Sequence, residues 1–458
     1  MNFYFNNRTK NLVKFVFCNE RVSPFCDGKI GSISPDPHSD QILVGLGHKN
    51  EVSKEKLQAA VYKLGRYIAN KDIRELSFNK LNLAISDRNF VMTIAEAIIA
   101  SSYHFDHYKS DKVSYKLEKV NFQEKLEEYG EDIPELKTNY DAIFLARDLV
   151  NLRSNDIYPE TLAKRADDAL SFLGVDVKIY EEKEIRELGL TAFLEVARGS
   201  DVPPRFIVME YLKGDPDQKP LVYVGKGITY DTGGYSLKSA AGMKEMNSDM
   251  GGAGSVIAAM RAIAANGLEV NVVGIVAACE NAVSGNAYKP GDIIKARNGM
   301  TIEVDNTDAE GRITLADAVN YAATEYDPEM IVDLATLTGA VLVALGQSYT
   351  GAVTNNQNAM DKVLAAASFS EEKIWQLPND DFIRSYNDSE VADIKNSGGR
   401  LAGSITAGQF VGAFVENKAW VHLDIAGTAY LSKAEGLNEK GATGVHVKTL
   451  YQLAKSYE

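Results

Sequence analysis

From Val175 to the C-terminus, short runs of branched and aromatic residues alternate with longer segments in which apolar residues recur every three or four positions. The runs are VDVKIY, RFIVMEYL, PLVYVG, VNVVGIVAA, MIVDLA and WVHLDIAG, and helical spacing appears over about 252–265, 313–324, 405–416 and the C-terminal residues. Strands that are apolar on both faces must be covered on both faces. The alternation therefore predicts a mixed, mostly parallel α/β sheet with helices on each side.

Upstream, QILVGL and ELSF read as short strands, while Lys54 to Asn70 and Met92 to Ser101 carry helical spacing, which makes a smaller α/β domain. The polar stretch from Lys109 to Asp141 reads as a boundary. After it, Thr138 with Asp141 fits a capping box, and Ile143, Ala146, Leu149 and Val150 share one face of a connecting helix. Pro159 opens the next helix and Gly174 terminates it. This divides the 458 residues into an N-terminal α/β domain, 1–137, of unclear role, and a larger domain, 138–458, that holds the chemistry.

A hydrophobic fraction of 45% and a charged fraction of 24% exclude a disordered, collagenous or disulfide-scaffold protein. The net charge of −14 makes nucleic acid an improbable partner, because phosphate binding needs clustered cations. Three scattered cysteines, Cys18, Cys26 and Cys279, fit a reducing compartment. The most apolar window, Met330 to Gly346, is shorter than a membrane span and contains Asp333. With no cleavable leader evident at the N-terminus, the expectation is a cytoplasmic enzyme without a membrane partner.

Charged residues crowd two glycine-rich segments. The first, VGKGITYDTGGYSLK at 224–238, follows an apolar strand and continues into SAAGMKEMNSDMGGAG, which places Lys226, Asp231, Lys238 and Asp249 where wound sheets hold their ligands. In the second, EVDNTDAEGRITLADAVNYAA at 303–323, an extended backbone would turn Asp308 and Glu310 to one side, with Arg312 at the mouth of a helix. Taken singly, the first also reads as an ordinary turn and the second as helix-capping acids. Together they read as converging carboxylates that need a cation. No histidine pair and no CxxC is present, so the site is oxygen-rich and suits manganese or magnesium as well as zinc. Two such ions activate a bridging water for hydrolysis.

NTDAEGR at 306–312 and the run at 224–238 resemble the leucyl aminopeptidase family of dinuclear metallopeptidases, and in particular its bacterial peptidase B branch. SDMGGAG, LATLTGA at 334–340 and WVHLDIAG at 420–427 extend the resemblance from about Tyr140 to the end. The first 110 or so residues carry no matching motif.

The resemblance implies an aminopeptidase that releases N-terminal residues from short peptides through attack of a metal-bridging hydroxide on the scissile carbonyl. Its two divalent ions, Mn2+ or Zn2+ with Mg2+ a third candidate, would be bridged by Asp231 and Glu310. Lys226 and Asp249 would complete the tighter site and Asp308 the more exchangeable one. Lys238 would stabilise the oxyanion, and Arg312 would hold a bicarbonate ion as general base. Met246, Thr336, Leu337 and Gly339 would line the pocket for the first side chain. The resemblance further implies a homohexamer with its sites facing an interior cavity. Thr232, Tyr235 and Ile313 depart from the commonest form of the motifs without removing a ligand. A noncatalytic DNA-binding regulator and a magnesium-dependent phosphotransferase are the rival readings.

Overall fold

The computed structural model describes residues 1–7, 10–19, 24–81 and 85–458. The chain divides into two units, Met1–Tyr140 with Ala434–Asn438, and Asp141–Lys433 with Glu439–Glu458.

Among the described residues, the first unit holds strands β1 (Asn2–Tyr4), β2 (Leu12–Val16), β3 (Ile33–Pro35), β4 (Gln41–Gly45), β5 (Glu75–Phe78) and β6 (Lys119–Phe122). They form one sheet in the order β1-β6-β5-β2-β4-β3, parallel except for the β3–β4 pair. Helices Lys54–Ile68 and Asp87–Ser101 begin at Ser53 and Ser86, whose hydroxyl oxygens accept from the Lys56 and Asn89 amides. The polar stretch 109–141 is thus partly built into this sheet, through β6.

The helix expected to open at Thr138 instead runs Ile133–Asn151. Thr138 lies inside it and donates its hydroxyl to the Pro134 carbonyl at 3.1 Å, so it back-bonds within the helix and caps nothing. Pro134 suits a first turn, where its missing N–H is not needed.

In the second unit the strands are β7 (Asp176–Tyr180), β8 (Arg205–Leu212), β9 (Leu221–Asp231), β10 (Asn271–Asn281), β11 (Ile293–Lys295), β12 (Thr301–Glu303), β13 (Met330–Ala335), β14 (Thr350–Thr354), β15 (Ile374–Gln376), β16 (Ile394–Lys395), β17 (Trp420–Asp424) and the paired β18 (Tyr430–Leu431) and β19 (Gly441–Ala442). Eight of them make one mixed sheet, β15-β14-β17-β13-β9-β10-β8-β7, and β11-β12-β16 make a small separate one. The central run β17-β13-β9-β10 is parallel, as the apolar patterning predicts. Antiparallel partners β14, β8 and β7 lie outside it.

Alternation along β9 shows how both faces are covered. Val222, Val224 and Ile228 join one core with Phe193, Ile313, Val319 and Phe410 from three helices and with Phe414 just beyond the last of them. Tyr223 points the other way and donates its hydroxyl to the Leu450 carbonyl of the C-terminal helix Val447–Lys455. On that same face, a Cβ at Gly225 would stand 2.7 Å from the Ala253 backbone, so glycine is what lets helix Gly251–Asn266 press on the strand.

Candidate active site

β9 does not end at Gly225, as the apolar run alone predicts, but continues to Asp231. Lys226 and Asp231 are five positions apart, a spacing that puts side chains on opposite faces of a regular strand. Register between β9 and β10 shifts here: Cys279 pairs with Ile228, but Glu280 pairs with Tyr230, leaving Thr229 as an extra residue. That bulge turns Asp231 to the face of Lys226, opposite Asn281.

Asp308 and Glu310 also meet for a reason other than the expected one. They are not consecutive same-face residues of a strand. Asp308 lies in the turn after β12 and Glu310 is the first residue of helix Glu310–Glu325, so the turn and the first helical residue aim both carboxylates at β9. Gly311 permits the approach, since a Cβ there would stand 2.4 Å from the Lys226 Cε. Asp249 arrives from the other direction, just before helix Gly251–Asn266.

The result is a chain of alternating charges. Lys226 Nζ lies 2.7 Å from Asp249 Oδ2 and 2.9 Å from Glu310 Oε1. Lys238 Nζ lies 2.8 Å from Asp231 Oδ2 and also contacts Asp308 Oδ1. Burial alone would discharge Lys226, but the carboxylates of Asp249, Glu310 and Asp231 outweigh it and hold its pKa above the ordinary value. Lys238 is raised in the same way, burial being overcome by Asp231, Glu310 and Asp249. Asp231, Asp249 and Asp308 are all raised, mainly by burial, with repulsion from the neighbouring acids adding to it. Arg312 is fully enclosed, and burial draws its guanidinium down to about 10, still protonated at neutral pH.

These residues pass a direct test of cation fit. Four carboxylates face two ammonium groups, so negative charge is in excess. One oxygen from each of Asp231, Asp308 and Glu310 lies within 4.8 Å of the others. Glu310 Oε2 is buried with no hydrogen-bond partner, and Asp249 Oδ2 and Asp308 Oδ1 are buried with ion-pair contacts but no aligned hydrogen bond. Buried acceptors in that condition are costly unless a cation serves them.

The other anticipated positions are near by. Thr336 gives its carbonyl to Lys226 Nζ at 3.0 Å and its hydroxyl to Asp249 Oδ1 at 2.8 Å. Leu337 and Thr338 donate their amides to Asp424 Oδ1, and the Thr338 hydroxyl donates to Asp424 Oδ2, which ties the loop ahead of Gly339 to β17. Met246 is half-buried in the short turn preceding Asp249. His422 is buried with Nδ1 2.6 Å from Asp333 Oδ1, as a packing residue.

Three polar residues escaped sequence reasoning. Asn281 donates to Asp231 Oδ1 and to the Thr307 carbonyl, Tyr288 donates to that same carbonyl, and Asn396 is bound to the turn 305–309. Asn281 lies three residues beyond the apolar run VNVVGIVAA and belongs to no motif. Nothing in the local pattern around the other two marks them.

With this geometry in view, the comparisons decide the family. Residues 144–451 match the catalytic domain of the cytosol aminopeptidase family, and residues 30–112 match its N-terminal domain. The chain belongs to the cytosol aminopeptidase family. Family membership therefore reaches into the N-terminal segment, where no motif is visible. A probable cytosol aminopeptidase of Clostridium tetani is 46% identical over 439 residues, covering 94% of this chain and 91% of the relative. The cytosol aminopeptidase of Pseudomonas aeruginosa is 42% identical over 423 residues, covering 90% and 84%. Among solved structures, the bottromycin maturation enzyme BotP in complex with Mn aligns with a TM-score of 0.87 at 30% identity, covering 98% of this chain and 99% of that one. Membership in this family supports a metal-dependent aminopeptidase, a hydrolase acting on peptides. Among the described residues, no helix is long and apolar enough to cross a membrane.

Proposed function

We propose that this chain is a cytoplasmic dinuclear metalloaminopeptidase that removes N-terminal residues from short peptides, with its chemistry confined to residues 138–458. The observation that carries the proposal is the convergence of Lys226, Asp231, Asp249, Asp308 and Glu310, from three separate stretches of chain, around buried carboxylate oxygens that lack hydrogen-bond partners. Asp231 and Glu310 would be shared between two divalent cations, Mn2+ or Zn2+ with Mg2+ a third candidate. Lys226 and Asp249 would serve one ion and Asp308 the other. Bound there, the ions supply Lewis acidity and a nucleophilic hydroxide at neutral pH.

Each remaining role belongs to a side chain. Lys226 must give up its proton to act as a ligand, so loading is coupled to proton release. Lys238, partly open to solvent between Asp231 and Asp308, holds its ammonium where negative charge develops on the scissile carbonyl oxygen. Arg312 keeps its guanidinium charged and leaves Nε without a partner, which suits a bidentate oxyanion such as bicarbonate acting as general base. Met246, Thr336, Leu337 and Gly339 would receive the first side chain of the peptide. We also propose a homohexamer whose interior cavity admits only short or unfolded chains, a state light scattering would read directly.

The test is a metal analysis of the purified chain together with a panel of amino-acid anilides. Release of amine that depends on two bound ions per chain, and that Asp308→Ala abolishes, is the expected result. Turnover of nucleotides without release of amine would overturn the assignment.

A further inference from the structure

Asn396 follows β16 and is completely buried. An asparagine side chain offers two donors and two acceptors, and here every one is used on a single turn. Oδ1 accepts from the Asp305 amide at 2.8 Å and the Asn306 amide at 3.2 Å. Nδ2 donates to the Asn306 carbonyl at 2.7 Å and the Ala309 carbonyl at 3.2 Å. The backbone is committed as well. Its amide donates to the Glu303 carbonyl of β12, and its carbonyl accepts from Arg312 Nη1 at 2.8 Å.

The turn bound in this way carries Asp308 and leads into Glu310. From its other side, Thr307 is held by Ser236, Gly233, Asn281 and Tyr288, residues of the first charged segment and of β10 with its following loop. Asn396 is the opposing grip. Because the same residue presents its carbonyl to the Arg312 guanidinium, displacement of the turn and displacement of Arg312 are mechanically linked.

We infer that Asn396 is a positioning residue for the proposed reaction, setting the Asp308–Glu310 turn and the Arg312 guanidinium in register with each other through hydrogen bonds that no sequence motif records. It touches neither the cations nor the peptide and acts through the groups that do.

The decisive variants are Asn396→Asp, which keeps the shape but turns a carboxylate oxygen on two carbonyls, and Asn396→Ser, which shortens the side chain without adding charge. Each is measured as the full chain for kcat and KM on leucine anilide, and for Mn2+ affinity by calorimetric titration of the metal-free protein. Mn2+ affinity should fall roughly tenfold to a hundredfold. In the same variants, kcat should fall by about the same factor while KM stays within about twofold. In an Arg312→Ala background, the loss of kcat caused by either Asn396 substitution should shrink to the part that travels through the Asp308–Glu310 turn, because coupled positions are not additive. Wild-type Mn2+ affinity in a folded variant, or an undiminished loss of kcat in that background, would overturn the inference. Should the unaltered chain release no amine, the proposed reaction fails, while the Mn2+ titration still judges Asn396.

Discussion

The two ends of the charged cluster use the same chemistry at different depths. At the inner end Lys226 sits between Asp249 and Glu310, with side-chain exposures of 4%, 7% and 2%. At the outer end Lys238 sits between Asp231 and Asp308, and the exposed partners are Lys238 at 18% and Asp308 at 34%. Water partly screens Lys238 and Asp308, while Asp231 is as buried as the inner acids. Inner charges are shut off from water and lean on each other and on Thr336, so removing one leaves its partner poorly compensated. Depth therefore separates a dry end from a partly wet one, although the residue types are alike.

The strongest way to break this comparison is Glu310→Gln, since Glu310 touches Lys226 directly and raises the pKa of both Lys238 and Asp231 through space. Both metals should be lost on dialysis and anilide hydrolysis should fall by about 10³ or more, a loss comparable with removing a principal electrostatic group. Retention of two ions by mass spectrometry would show that the ends are independent.

Next in size is Lys238→Ala. It should lower kcat by roughly 10²–10³ while both ions stay bound, because the outer lysine acts on developing charge. If that variant loses both metals, the distinction between a liganding and a charge-stabilising lysine collapses.

In the metal-free chain, Asp249→Ala should cost about 3 kcal/mol or more of stability, since it leaves Lys226 buried with one carboxylate contact fewer. Asp308→Ala should cost less, since Lys238 and Asp308 are more exposed than Lys226 and Asp249. Chemical denaturation in the presence of chelator measures both, and equal losses would erase the inner–outer difference.

The smallest effect sharpens the comparison from outside the site. His446 is buried, with its ring nitrogens near the Thr449 and Thr350 hydroxyls, and burial outweighs Glu372 to hold its pKa below the ordinary value. The unfolded chain then takes up a proton that the folded chain refuses. Stability is full above about pH 6.5 and falls on acidification, by about 1.4 kcal/mol for each unit by which the pKa is depressed. Thermal melts from pH 5 to 8 should show this loss flattened in His446→Asn. An unchanged profile would assign the acid sensitivity to the charged cluster instead.

Much of the catalytic unit was legible because its strands are buried on both faces and so appear as continuous apolar runs, as in β8, β10 and β13. Strands β14 and β15 were not, since Thr350–Thr354 and Ile374–Gln376 are short and carry few large apolar residues. The charged site residues stood out through motif density, while the asparagines that hold them did not. An amide that is saturated by contacts 90 positions away looks, in the sequence, like any surface asparagine.

By itself the sequence determined the wound α/β class and the two charged segments with their crowded carboxylates, because hydrophobic period and local charge density are properties of neighbouring residues. Only the tertiary structure decided that a single extra residue at Thr229 turns Asp231 toward Lys226, that Glu310 belongs to a helix, and that Asn396 grips the turn between them. Such facts depend on strand register and on contacts between distant segments, and these exist only once the chain has folded.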